Sequence, residues 1–132
     1  MLLRPAGCLE TFVSGSGVAA DHRCRTGQAL TAEAVISHMR LGDAEAKLTY
    51  DLFLDRLARG LAHVVNILDP DVIVLGGGLS AVDELYTDLP ARIAAFVFSD
   101  TFDAPVRKSR HGSSSGVRGA AWLWAAQDPG QL

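Results

Sequence analysis

Apolar residues recur every three or four positions between Tyr50 and Leu68, at Tyr50, Leu54, Leu57, Leu61, Val64 and Leu68, so they share one face of a long amphipathic helix. Asp43 opens this helix. Asp69-Pro70 closes it, because proline disfavours helical geometry in the residue before it and has no N–H to donate. A shorter helix is predicted from Thr31, a capping residue, to about Met39, with Val35, Ile36 and Met39 apolar and Gly42 ending the unit. Nearer the start, the segment from Cys8 to about His22 is helix-compatible but split by Ser14-Gly15-Ser16-Gly17, which predicts two short helices meeting at a glycine hinge.

After Pro70 the pattern changes. Val72-Ile73-Val74-Leu75 is a short β-branched run that enters three consecutive glycines, Gly76, Gly77 and Gly78, and it reads as a buried strand followed by a nearly side-chain-free loop. Ser80 can cap a short helix with Asp83 and Glu84 near its start, and a further helix is predicted from Pro90 to about Phe98. Val106 to Ser109 reads as a second strand, with Arg107 and Lys108 marking an edge or end. A serine-glycine turn, in which Ser114 or Ser115 can act as cap, leads into an alanine-tryptophan helix, and residues 127–132 read as a frayed tail. Many helices and only two short strands make an α/β chain whose sheet is incomplete. A two-stranded sheet is marginal alone, and parallel strands belong to larger, covered sheets, so further strands are expected on a second chain or another segment.

Composition adds limits. The 132 residues are 48% apolar and 20% charged, which suits one globular domain over residues 1–132. A net charge of −3 and scattered basic residues give no reason to expect a nucleic acid or an anionic membrane as partner. Arg56, Arg59 and His63 interrupt the most apolar region, and MLLRPAGC does not make a secretory signal. A cytoplasmic location is therefore expected, with Cys8 and Cys24 as reduced thiols rather than a disulfide.

Four segments then carry a resemblance: GCLETFVSGSG (Gly7 to Gly17), HVVNILDPD (His63 to Asp71), DPDVIVLGGGLS (Asp69 to Ser80) and PVRKSRHGSSSGVRGAAWLW (Pro105 to Trp124). Together they resemble ROK-family sugar kinases, and within that family the bacterial fructokinases and manno(fructo)kinases. The resemblance implies a two-lobed actin-like (ribonuclease H-like) kinase in which ATP, Mg2+ and a hexose meet between lobes, with this chain matching the last part of the C-terminal lobe. It places the phosphate loops, the carboxylate that accepts the hydroxyl proton and the zinc-ligating histidine outside these residues. The family pattern CxCGxxGCxE would put its first two cysteines at Met1 and Leu3 and a glycine at Arg4, leaving Cys8 alone of four ligands. A structural zinc needs about four N or S ligands, so zinc is predicted absent and Cys8 is read as a small buried or partly buried thiol.

The same resemblance nominates site residues. Gly76, Gly77 and Gly78 would form the wall against the adenosine of ATP; from the spacing alone, a tight strand-to-helix turn fits equally well. Glu10 would accept hydrogen bonds from sugar hydroxyls. Gly15 and Gly17 could cradle phosphate at a helix start, or simply break the helix. No catalytic residue and no metal ligand is nominated. His63 is read as a core or boundary residue, His111 as a surface loop residue, and one of Trp122 and Trp124 as exposed. The implied activity is phosphorylation of a hexose by ATP, fructose to fructose 6-phosphate, with the isolated chain inactive. The alternative is a noncatalytic ROK-derived module for oligomerisation or regulation, and a homo-oligomer is expected.

Overall fold

The structure, a computed structural model, describes residues 8–99, 101–112 and 115–122. Its centre is the long helix predicted from the apolar repeat. Asp43 accepts the Ala46 N–H and starts a 25-residue helix, here numbered α3, Ala44–Leu68. Asp69 ends it in the left-handed region, at φ 42°, directly before Pro70.

The helix exists as expected, and Tyr50, Leu54, Leu57 and Leu61 of the predicted stripe pack on the core, but the fully buried face also takes in Ala46, Phe53, Ala58, Ala62 and Val65, whereas Val64 and Leu68 are exposed. The helices α2 (Ala32–Arg40) and α4 (Glu84–Ala94) both pack on α3, and small residues on its buried face, Ala46, Ala58 and Ala62, suit close packing. The Val64 and Leu68 side faces solvent.

Ahead of α3, the glycine hinge gives way to a different break. A single 3-10 turn, Leu9–Thr11, is followed by Phe12 to Ser14 and then by one continuous helix, α1, Gly15–Thr26. Gly15 and Gly17 sit inside its first turn rather than at a hinge, and Ser14 caps it by accepting the Gly17 N–H at 3.1 Å. Thr31 caps α2 as predicted, accepting from the Ala34 N–H.

Helices α1 and α3 are joined by a polar knot. Thr49 donates to the Glu45 carbonyl and accepts from Arg25 Nη2, each at 2.9 Å. The Thr49 proton is thereby used, so the buried His22 ring, 2.9 Å away through Nδ1, is the donor in that contact. Arg56 reaches back from α3 to Asp21 at 3.0 Å.

Strand β1, Ile73–Leu75, pairs in parallel with β2, Val106–Lys108, with Ile73 opposite Val106. Helix α4 is the crossover between them. It replaces the two helices expected at Ser80 and Pro90: Leu85, Leu89 and Ile93 form one fully buried row at i, i+4 and i+8, which carries the helix through Pro90. Phe98 lies beyond the helix end. The last helix described, α5, Ser115–Trp122, is exposed from Gly116 to Trp122; Ser114, Trp124 and the tail lie outside the described residues. No helix among the described residues is long and apolar enough to cross a membrane.

Arg40, at the end of α2, holds Glu84, at the start of α4, through two hydrogen bonds of 2.6 and 2.8 Å. The Arg40 guanidinium draws the Glu84 carboxyl down to about 2, against an ordinary value near 4.5. A carboxyl whose folded value is depressed contributes stability above its unfolded value and loses it as the pH falls. The contribution is therefore complete above about pH 4.5 and disappears between there and about pH 2. Glu84→Gln should flatten that part of the acid-unfolding curve while changing the shape near neutrality little, which circular dichroism against pH will read. An unchanged acid limb would mean that the pair does not persist in solution.

Candidate functional site

Strand β1 delivers the chain into Gly76, Gly77 and Gly78, all three exposed. Gly77 adopts φ 84°, ψ −176°, a conformation that side chains rarely take. A Cβ built on Gly77 or on Gly78 would meet no atom within 4 Å. Open space, not packing, therefore lies over these two glycines, at the carboxyl end of a parallel strand where α/β folds receive ligands.

The loop is braced from behind. Ser80, buried, donates to the Gly77 carbonyl through its hydroxyl at 2.6 Å and through its N–H at 3.2 Å. Ser80 thus shapes the glycine turn and does not cap α4, whose Asp83 start makes no side-chain capping bond. Tyr86 in turn donates its hydroxyl to the Ser80 carbonyl at 2.7 Å, and burial pushes its phenol above the usual range. Sequence reasoning missed Tyr86; its position six residues after Ser80 across a turn carries no periodic signal.

Glu10 sits in the 3-10 turn Leu9–Thr11 and is exposed. Three contacts seat that turn. Gly17 leaves room for it: a Cβ there would lie 2.6 Å from the Thr11 carbonyl oxygen. Gly60 of α3 leaves room for Leu9, whose Cδ2 would be 3.0 Å from an added Cβ. The Arg56 guanidinium lies over the Phe12 ring at 5.1 Å. Gly17 is consequently occupied with packing the Glu10 turn onto α1. Gly15 has ordinary room, 3.6 Å from Ala32 Cβ.

Two cavities of about 630 Å³ are present among the described residues. One, between the starts of α1 and α2, is lined by Gly15 with Ala19, Leu30 and Thr31, among others. The other lies at the amino ends of the strands, around Asp69, Asp71 and Asp103. Glu10 and Gly76 to Gly78 line neither of these two.

Cys8 is exposed, contrary to the buried or partly buried thiol expected, and stands directly before the 3-10 turn. His63 is exposed rather than at the core, since the buried face of α3 runs through Ala62 instead. His111 is exposed as expected. The buried histidine is His22, four residues after Val18 on the inner side of α1, a spacing that could have revealed it. No group of three or more His, Cys, Asp or Glu among the described residues is placed to hold a metal ion.

Comparison with known proteins gives a consistent result. The N-acetyl-D-glucosamine kinase of Pectobacterium carotovorum is 40% identical over 118 residues, 89% of this chain and 39% of that protein. The N-acetylgalactosamine kinase AgaK of a Shewanella species is 40% identical over 124 residues, 94% of this chain and 40% of that protein. This chain thus spans about two-fifths of the length of these curated relatives. A ROK family glucokinase from Streptomyces griseus, solved with glucose and AMPPNP, superposes with a TM-score of 0.75 at 22% identity, covering 89% of this chain and 44% of that one. The fold is therefore the helix-rich α/β portion of an actin-like sugar kinase. The ROK family model matches residues 5–127, and the chain belongs to the ROK family.

Proposed function

We propose that this chain supplies the nucleotide wall and one sugar-contacting carboxylate of an ATP-dependent hexose kinase, and that the sugar is an N-acetylated amino hexose. The observation that carries the reading is the position of the open, exposed Gly77 and Gly78 at the carboxyl end of the parallel strand β1, where α/β folds receive ligands. The two curated kinases described above support the sugar class, acting by name on N-acetylglucosamine and N-acetylgalactosamine, so fructose is set aside.

In this reading the exposed backbone of Gly76 to Gly78 lies against the adenosine, and the Ser80 and Tyr86 contacts hold the loop in shape before the nucleotide arrives. Glu10 accepts hydrogen bonds from two sugar hydroxyls, which a carboxylate does with charge-assisted strength. Phosphoryl transfer rests on positioning and on charge neutralisation, the part Mg2+ plays when bound with ATP. No described residue of this chain is assigned to that ion. The resemblance puts the proton-accepting carboxylate and the phosphate loops outside these 132 residues, so the isolated chain binds ATP without turning over sugar.

Gly78→Val separates this reading from a bare turn. The added side chain has room, so the thermal midpoint should stay close to that of the parent, while it projects into the space assigned to the nucleotide. ATP affinity by calorimetric titration should fall at least about tenfold, equivalent to about 1.4 kcal/mol. Equal ATP binding by parent and variant, or none by the parent, would remove the nucleotide assignment.

A further inference from the structure

On its open side the Gly77 turn has nothing to hold it. Gly77 lies at φ 84°, ψ −176°, a region that glycine almost alone visits, and a Cβ on Gly77 or Gly78 would meet no atom within 4 Å. A run of glycines has many other conformations to sample, so a turn of this kind persists only where neighbouring groups fix it. Here they act from behind and in series. Ser80, 2% exposed, donates to the Gly77 carbonyl through its hydroxyl at 2.6 Å and through its N–H at 3.2 Å. Tyr86 donates to the Ser80 carbonyl at 2.7 Å. Ser80 thus grips the turn with its two donors and is itself gripped through its acceptor.

Tyr86 is well anchored for this task. Its side chain packs against the core cluster, next to the fully buried Leu85. The two residues at the start of α4 are tied to different elements. Lys108 Nζ donates to Asp83 Oδ1 at 3.0 Å, and Arg40, at the end of α2, donates to both oxygens of Glu84 at 2.6 and 2.8 Å. Asp83 makes the Lys108 contact in place of a side-chain cap on α4. In the ladder Lys108 stands opposite Leu75, the residue directly before Gly76. The start of α4 is therefore fastened to the sheet at the level where the loop leaves it. Both charges lie near enough to Tyr86 to act on its phenol, Lys108 lowering and Asp83 raising it, while burial raises it most.

We infer that Tyr86 is a positioning residue for nucleotide binding, whose hydroxyl, acting through Ser80, keeps Gly77 in the open turn that receives the adenosine. This rests on the nucleotide reading above and adds to it a residue that sets affinity from behind the loop. A ligand that binds only the open turn has an apparent Kd equal to its intrinsic Kd divided by the fraction of chains in which the turn is open. Tyr86 raises that fraction. Its loss therefore weakens every ligand that uses the turn by the same factor, with or without phosphates.

Tyr86→Phe keeps the ring and removes the hydroxyl. Calorimetric titration well below the unfolding midpoint should show ATP and adenosine both bound about three- to tenfold more weakly, the factor that one hydrogen bond carries. Amide exchange gives the readout that a general loss of stability would not: the Ser80 N–H should speed up by a larger factor than the N–H of Ile93, in the buried row of α4. In a Ser80→Ala background, where the hydroxyl grip on Gly77 is already gone, Tyr86→Phe should weaken ATP binding by a smaller factor than in the parent. Should Tyr86→Phe fail to fold, Lys108→Met, at an exposed position, should weaken adenosine at least about twofold; adenosine is uncharged, so the lost lysine charge does not enter the result.

Unchanged affinity in a folded Tyr86→Phe chain overturns the assignment. So do a loss for ATP without one for adenosine, equal factors in the parent and Ser80→Ala backgrounds, Ser80 and Ile93 amides that speed up together, or, where Lys108→Met is the variant read, unchanged adenosine binding. None of these outcomes touches the nucleotide reading. That reading falls instead if the parent binds no ATP, and Tyr86 then holds a turn that serves no nucleotide.

Discussion

Leu89→Ala is expected to lower the free energy of unfolding by about 3–5 kcal/mol, the upper part of the range for deleting a fully buried leucine. Leu89 is fully buried in the inner row of α4, between Leu85 and Ile93. The cost of such a deletion depends on how far the surroundings can close the cavity. Here they are held apart. Tyr50 of α3 donates to Asp88 at 3.1 Å on one side of Leu89, and Arg92 donates to Asp51 at 2.9 Å on the other. Both contacts fix the spacing of α3 and α4, so the cavity stays. For a domain with about 5–15 kcal/mol in total, the variant loses a large share of its stability. Urea unfolding reads this as a shifted midpoint at an unchanged slope. A loss under about 1.5 kcal/mol would show that α4 slides inward and that these polar contacts do not hold it. Leu41→Ala, at a position 86% exposed, should change stability by no more than about 0.5 kcal/mol.

Element positions were legible in the sequence where a local signal stood alone. Thr31 and Asp43 cap the helices they were expected to cap, and the strands fall at Ile73–Leu75 and Val106–Lys108 within a residue of expectation at each end. Which face of α3 is buried was legible only in part. Tyr50, Leu54, Leu57 and Leu61 of the apolar stripe do pack on the core, but the stripe ran on to the exposed Val64 and Leu68 and passed over the buried Ala46, Ala58 and Ala62. Hydrophobicity ranks a leucine above an alanine, whereas close helix packing depends on the volume left for the neighbour. Pro90 misled in the same way, because the row Leu85, Leu89, Ile93 outweighs a missing N–H.

Site legibility followed a similar divide. Three glycines after a β-branched run announced a loop, and the structure adds the open space above Gly77 and Gly78. The contacts that shape the site, Ser80 and Tyr86 behind the loop and Gly60 beneath Leu9, join residues with no common period, so no pattern along the chain could announce them. The proposed sugar class was the least legible. Of the candidate residues only Glu10 is proposed to meet the sugar, and a carboxylate that accepts from hydroxyls does so in fructose and in an acetylated amino sugar alike.

Gly17→Ala is expected to cost about 1–3 kcal/mol, although alanine is the better helix former by up to about 1 kcal/mol. The added methyl would lie 2.6 Å from the Thr11 carbonyl oxygen, 3.0 Å from its carbon and 3.1 Å from the Phe12 carbonyl carbon. All three are backbone atoms, so relief requires the Leu9–Thr11 turn to move as a unit and Glu10 to move with it. The Phe12 and Val13 N–H groups, each 3.0 Å from the Leu9 carbonyl, should then exchange faster with solvent. Gly15→Ala, two residues earlier, should do the reverse. Its methyl meets only Ala32 Cβ at 3.6 Å, so the helix gains up to about 1 kcal/mol and the turn stays in place. Opposite signs at Gly15 and Gly17, read by urea unfolding and amide exchange, assign Gly17 to holding the Glu10 turn. Equal stabilisation at both would show that the turn is not seated on α1, and would return Gly17 to the phosphate-cradling role that its place in the first turn of a helix also allows.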